Sequence, residues 1–133
     1  MLKSENPGEI LRQTIETLFT TGDVSCLDPH PGMDSLSKNF AKVKAAFPDI
    51  KTEFQQQLTE GNQVASHWIL QGTHTGDLFG IAPTGKRVKF QNLSIARIEN
   101  GKIVQYNSEI GWLSILMQIG ALPIYKNDVS NLK

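Results

Sequence analysis

The sequence predicts an α+β domain with helices laid against an antiparallel sheet, and three observations carry that expectation. Apolar residues recur at helical spacing as far as Phe47; from Ile50 onward the texture changes to the period-two alternation of strands; and the strand-like segments follow one another without helical crossovers. Strands joined that closely pair antiparallel, and apolar helix stripes need the sheet as a partner.

The first helix starts at Asn6-Pro7-Gly8-Glu9. Asn6 can cap, Pro7 suits the first helical position, and Glu9 stands where a capping-box carboxylate would. Leu11, Ile15, Leu18 and Phe19 give one apolar face, and Gly22-Asp23 ends the helix. Asp28-Pro29-His30-Pro31-Gly32 reads as a loop, because each proline restrains itself and the residue before it. Met33, Leu36, Phe40, Val43 and Phe47 form the stripe of a second helix that Pro48 stops. Lys38, Lys42 and Lys44 lie off that stripe, on a solvated face.

Ile50–Thr59, with three consecutive glutamines, suits an edge strand that water can reach. Glu60-Gly61-Asn62 is a turn. In the next strand, Gln63–Thr73, Val64, Ser66, Trp68 and Leu70 point one way and Ala65, His67, Ile69 and Gln71 the other. Gly72–Gly76 and Gly80–Gly85 bracket a glycine-rich excursion that lacks the context of a phosphate loop. Arg87–Ile98 and Lys102–Gly111 form a hairpin about Asn100-Gly101. A short helix follows through Trp112, Leu113, Ile115, Leu116 and Ile119, ending at Gly120 with Pro123 beyond. Residues 1–125 are expected to form one domain and 126–133 a loose polar tail.

Bulk properties exclude several functions. The chain has 133 residues, enough for one domain, with thirteen basic and thirteen acidic side chains. That balance disfavours nucleic acid and anionic membranes as partners. Cys26 is the sole cysteine, so an internal disulfide is impossible, and it is expected to be an unreactive thiol. His30, His67 and His74 lack metal-site spacing, so no metal or cofactor is expected. Without a signal-peptide-like or membrane-length apolar run, a cytoplasmic protein is the simplest reading.

Phe47-Pro48-Asp49, Gly72-Thr73-His74-Thr75-Gly76, Gly80-Ile81-Ala82-Pro83-Thr84-Gly85, the run from Arg97 to Val104 and Leu116-Met117-Gln118-Ile119-Gly120 fall in a characteristic order. From Met33 to Pro123 the chain thereby resembles the SnoaL-like polyketide cyclases of the nuclear transport factor two-like superfamily. The resemblance implies a cone-shaped α+β barrel, a curved antiparallel sheet wrapped over the N-terminal helices, with a short C-terminal helix and an apolar cavity. The segment between Gly22 and Met33 is shorter than is usual there, so one cavity wall is expected to be reduced. Cyclases of that family close a ring by an intramolecular aldol step. An aspartate on the last strand is the general acid/base, helped by a histidine on the strand before it.

Carried onto this chain, those positions fall on Ser108 and Ser94. An isolated serine hydroxyl is no general base at neutral pH. Glu109 is the alternative carboxylate, and its facing depends on the hairpin register. A two-residue loop pairs Glu99 with Lys102 and puts Ser94 on the face of Asn107 and Glu109. A three-residue loop with Gly101 as a bulge pairs Ile98 with Lys102. It puts Phe90, Asn92, Ser94 and Ala96 with Val104, Tyr106, Ser108 and Ile110. Alternation alone slightly favours the first and the resemblance favours the second, which is the register adopted here.

The adopted register leaves Leu93, Ile95 and Ile103 on the outer face, where exposed apolar side chains suggest a homodimer interface. The expected ligand-binding set is Trp68, His74, Phe90, Asn92, Ser94, Tyr106, Ser108 and Trp112. Each has a plainer reading: the tryptophans as core or wall, His74 as a structural residue beside flexible glycines, and Tyr106 and Ser108 as mutually satisfied polar groups. His30 and His67 read as ordinary surface groups. The expected partner is a small hydrophobic, ketone-bearing molecule, bound without cofactor. A cyclase or isomerase using Glu109 is the competing reading.

Overall fold

The computed structural model describes residues 6–122. The expected tail and the Pro123 stop lie outside that range. Helix α1 (Pro7–Thr21) is capped by Asn6, whose Oδ1 accepts the Glu9 amide at 3.2 Å. It ends at Gly22 in the left-handed conformation, φ 72°, whose N–H donates to the Leu18 carbonyl. Its stripe of Leu11, Ile15 and Leu18 is buried, each such side chain contributing about 1.5–3 kcal/mol relative to exposure.

Two 3-10 turns, Val24–Leu27 and Pro31–Met33, lead into helix α2 (Asp34–Ala46). The expected stripe from Met33 to Phe47 is buried throughout, while Lys38, Lys42 and Lys44 face solvent. Cys26 is half-buried and free, its thiol pKa raised by desolvation and by the charge of Asp23.

Strands β1 (Lys51–Glu60), β2 (Gln63–Thr73), β3 (Arg87–Glu99) and β4 (Lys102–Ile110) form one antiparallel sheet in that order. Strand β1 lies at an edge, as its glutamines suggest. On β2 the expected alternation holds: Val64, Ser66, Trp68 and Leu70 are buried and their neighbours are not. Helices α1 and α2 cover the inner face, and helix α3 (Trp112–Gln118) closes one end. Gln118 clamps the β3 backbone there, accepting the Lys89 amide at 3.0 Å and donating to its carbonyl at 2.7 Å.

The hairpin combines features of both registers. Asn100 and Gly101 both have positive φ, 52° and 76°, so the loop has two residues and Glu99 pairs with Lys102. The expected Ile98–Lys102 pairing is therefore corrected: Ile98 pairs with Ile103. Val104 then bulges, so Arg97 pairs with Gln105, Ala96 with Tyr106 and Ser94 with Ser108. The bulge restores the expected facing beyond it but not before it. Leu93 and Ile95 are exposed as expected, whereas Ile103 is fully buried on the inner face rather than outside.

The loop before α2 docks on this bulge. A Cβ on Gly32 would lie 2.5 Å from backbone atoms of Val104 and Gln105, a contact only glycine allows. His30 Nδ1 accepts the Ile103 amide at 2.9 Å, and its Nε2 lies 3.5 Å from Thr14 Oγ1. Thr14 in turn donates to the Ile10 carbonyl. His30 is thus a half-buried connector among α1, the loop and β4, not the ordinary surface group expected.

Candidate functional site

The inner sheet face carries a polar belt inside an apolar core. Ser66 pairs with Ser94, and Ser94 with Ser108, so three serines stand in one register row across β2, β3 and β4. Gln57 continues the row on β1, opposite Ser66. Flanking it are Asn92, opposite Trp68, and Tyr106, opposite Ala96. Period-two alternation puts all of these on the covered side.

Only part of the belt is internally satisfied. Trp68 Nε1 donates to Ser66 Oγ at 2.6 Å. The Tyr106 phenol is raised above its ordinary pKa by burial, and side-chain hydrogen bonds with Ser94, Ser108 and Asn92 partly oppose that. It is therefore a neutral hydroxyl at physiological pH. Asn92 Oδ1 and Ser94 Oγ, which meet no strict hydrogen-bond geometry, belong to side chains that lie against the Tyr106 hydroxyl, whereas Gln57 Nε2 is buried without a hydrogen-bond partner. A polar atom left so costs about 1–3 kcal/mol, which a native fold keeps where something else meets it.

Among the described residues no carboxylate is buried with the belt. The buried polar residues among those described are Thr14, Ser66, His74, Asn92 and Ser94. Glu109 is exposed and pairs with Leu93 on the outer face. The described residues include no group of three or more His, Cys, Asp or Glu side chains able to hold a metal ion.

The other expected site residues are dispersed. Phe90 is buried in the core, 6.0 Å between ring centroids from Phe47. Trp112 is half-buried and meets Phe79 edge-on at 5.1 Å, at the end of the sheet. His74 is fully buried and ties down the glycine-rich excursion: its backbone bonds Lys86 and Gly85, and its Nδ1 accepts the Thr84 amide at 3.2 Å. Its Nε2 is buried without a hydrogen-bond partner. Asp49 anchors the same region, accepting the Thr73 amide and hydroxyl at 2.7 and 2.8 Å, bonds that hold its carboxyl below the usual pKa.

A cavity of about 610 Å³ opens on the outer face of the sheet. Leu58, Ala65, Leu93 and Ile95 give it an apolar floor, with Gln56, His67, Asn107 and Glu109 around them, and Ser66, Ser94 and Ser108 also contribute to its lining. A smaller one of about 220 Å³ adjoins it near Leu58 and Ile95. The sequence reading did not anticipate these hollows, because they depend on how the sheet twists. It also missed Ser66 and Gln57 as members of the belt. Ser66 was legible as inward-facing, but its alignment with Ser94 needs the register between strands.

Comparison with known proteins agrees with this architecture. Residues 9–119 match the family model of the SnoaL-like polyketide cyclases. Nogalonic acid methyl ester cyclase of Streptomyces nogalater is 27% identical over 92 residues, 68% of this chain and 69% of that protein. Among solved structures, AclR of Streptomyces galilaeus superposes with a TM-score of 0.81 at 22% identity, covering 98% of this chain and 90% of that one. IdmH of Streptomyces antibioticus gives 0.72 at 22% identity, covering 87% and 99%.

Proposed function

The chain belongs to the SnoaL-like polyketide cyclase family, and from that premise we propose that it holds a small hydrophobic, ketone-bearing molecule against the inner sheet face. Hydroxyl and amide groups orient the ligand there, in place of the proton-transferring pair expected from the family. The observation that carries this reading is the cluster of Asn92, Ser94 and the neutral Tyr106 hydroxyl, polar side chains buried together in an otherwise apolar core. Such a site can grip a carbonyl through donated hydrogen bonds but cannot remove a proton from carbon.

The test is titration with an apolar ketone such as 2-acetylnaphthalene, followed by the fluorescence of Trp68, the tryptophan in the belt. Saturable quenching that weakens in Ser94→Ala or Tyr106→Phe is expected. Quenching that is absent, or indifferent to both substitutions, contradicts the reading.

One observation supports the competing reading, a cofactor-independent cyclase or isomerase. Glu109 and His67 both line the outer cavity, a carboxylate and an imidazole beside an apolar floor. Ketone enolisation abolished by Glu109→Gln would favour that alternative.

The outer face has a further use in this proposal, as a homodimer interface. Leu58, Leu93 and Ile95 are 64%, 54% and 59% exposed, and charged residues such as Lys51, Lys89, Arg97 and Glu99 lie toward the strand ends. An apolar centre with a polar rim is the anatomy of a protein interface, and a second copy of the same sheet presents the matching surface.

A further inference from the structure

We propose that the hollow on the outer sheet face is a second ligand site, separate from the inner belt, and that it takes a small hydrophobic amine with its cationic group on Glu109. Its volume of about 610 Å³ lies within the roughly 300–1,000 Å³ of small-molecule sites, and about 220 Å³ more adjoins it where Leu58, Ala65 and Ile95 line both. Strand register builds the floor. Leu58 pairs with Ala65 and Ala65 with Ile95, so three apolar side chains form one row across β1, β2 and β3. His67 and Leu93 form the next row, which ends at Glu109 on β4. A flat apolar body laid on these rows covers Leu58, Leu93 and Ile95, side chains that are otherwise more than half exposed.

Charge then selects the ligand. Glu109 lines the larger hollow and Glu60 the smaller, whereas no lysine or arginine among the described residues lines either. That is a local departure in a chain whose thirteen acidic and thirteen basic side chains balance. Arg97, the next outward residue beyond Ile95 on β3, is already paired with Glu99 at 3.2 Å. Lys51 and Lys89 flank Gln71 at the other end of the strands. His67 Nε2 is engaged by Gln91 Oε1 at 2.5 Å, which leaves Glu109 to hold the ligand's charge. An ammonium group meets that carboxylate in a charge-assisted hydrogen bond, and an anionic ligand meets like charge instead. In the dimer proposed above, hollows that face each other across the symmetry axis enclose space rather than fill it, so the site survives association.

A matched series of probes tests both demands. 2-(Aminomethyl)naphthalene, 2-naphthalenemethanol and 2-naphthoate share one apolar body and carry, at neutral pH, a positive charge, none and a negative one. Calorimetric titration of the intact chain at low ionic strength should rank them in that order, the amine roughly fivefold tighter than the alcohol. In Glu109→Gln that preference should vanish while the alcohol still binds, and Leu93→Ala should weaken the amine and the alcohol alike through the lost floor. An amine no tighter than the alcohol, a preference that outlives Glu109→Gln, or affinities indifferent to Leu93→Ala overturn the proposal. Absence of saturable binding by all three probes overturns it too. None of these results touches the inner-belt reading, whose own test reads Ser94 and Tyr106.

Discussion

Ser94 and Ser108 stand directly opposite each other across β3 and β4, in the register set by the bulge at Val104. A carboxylate at either position would therefore face the hydroxyl of the other and the buried Tyr106 beside them. Ser108→Asp should install a base whose pKa is set by two opposing causes, the apolar core raising it and hydrogen bonds from Tyr106 and Ser94 lowering it. The expected gain is enolisation of an apolar ketone above the unmodified chain, measured as exchange of its α-protons with deuterium by NMR. The rate should rise with pH through the new group's pKa. Unchanged exchange in a folded variant counts against Ser108 as the position from which a base can reach the ligand.

His30 should make stability depend on pH in a definite direction. Desolvation, and secondarily the charge of Lys102, lower its pKa from the ordinary value near 6.5. Below that value the unfolded chain binds the proton more readily than the folded one, so stability falls as pH drops through the window beneath about 6.5. Above it, His30 is neutral in both states and contributes no slope. The structural cause is the Ile103 amide, which needs the Nδ1 lone pair that protonation removes. Urea unfolding at pH 7.5 and 5.5 should show a smaller difference for His30→Asn than for the unaltered chain. Identical differences would mean that the bond does not persist in solution.

Gly76 and Gly80 bracket the glycine-rich excursion but should respond very differently to alanine. A Cβ on Gly76 would lie 1.8 Å from the Ala45 carbonyl oxygen, where the Thr75 and Gly76 amides both donate to Ala46. Relieving that clash must move the end of α2, at a cost of roughly 1–3 kcal/mol or more. Gly80 has φ 83° with nothing near its missing Cβ, so alanine there meets only the backbone penalty of about 1 kcal/mol. Thermal melts of the two variants check the order, with Gly76→Ala the lower.

Much of the fold was legible because helices and strands announce themselves through local periodicity. The stripes from Leu11 to Leu18 and from Met33 to Phe47, and the alternation on β2, required no tertiary information. The hairpin was only half legible. Asn100-Gly101 signals a two-residue turn, but the extra residue at Val104 answers to the loop docked on it, where Gly32 touches the strand backbone and His30 takes the Ile103 amide. Nothing local in His30-Pro31-Gly32 reveals that contact. The belt was legible one residue at a time, as Asn92, Ser94, Tyr106 and Ser108. That Ser66 and Gln57 complete it depends on pairing across four strands, and the outer hollow depends on sheet twist.

Ile95 puts the proposed outer-face interface to a direct test. It lies on β3 with Leu93, more than half exposed, and opposite Ala65 on β2, where both outer cavities meet. A glutamate there would bring two like charges close to the symmetry axis of any dimer built from this face, in a setting where desolvation makes each costly. The inner core should be untouched, because Ser94 and Ala96 on either side point the other way. Sedimentation velocity should therefore show the unaltered chain as a dimer and Ile95→Glu as a monomer with an unchanged circular dichroism spectrum. A chain that sediments as a monomer before any substitution, or a dimer that survives this one, removes the outer face as the interface.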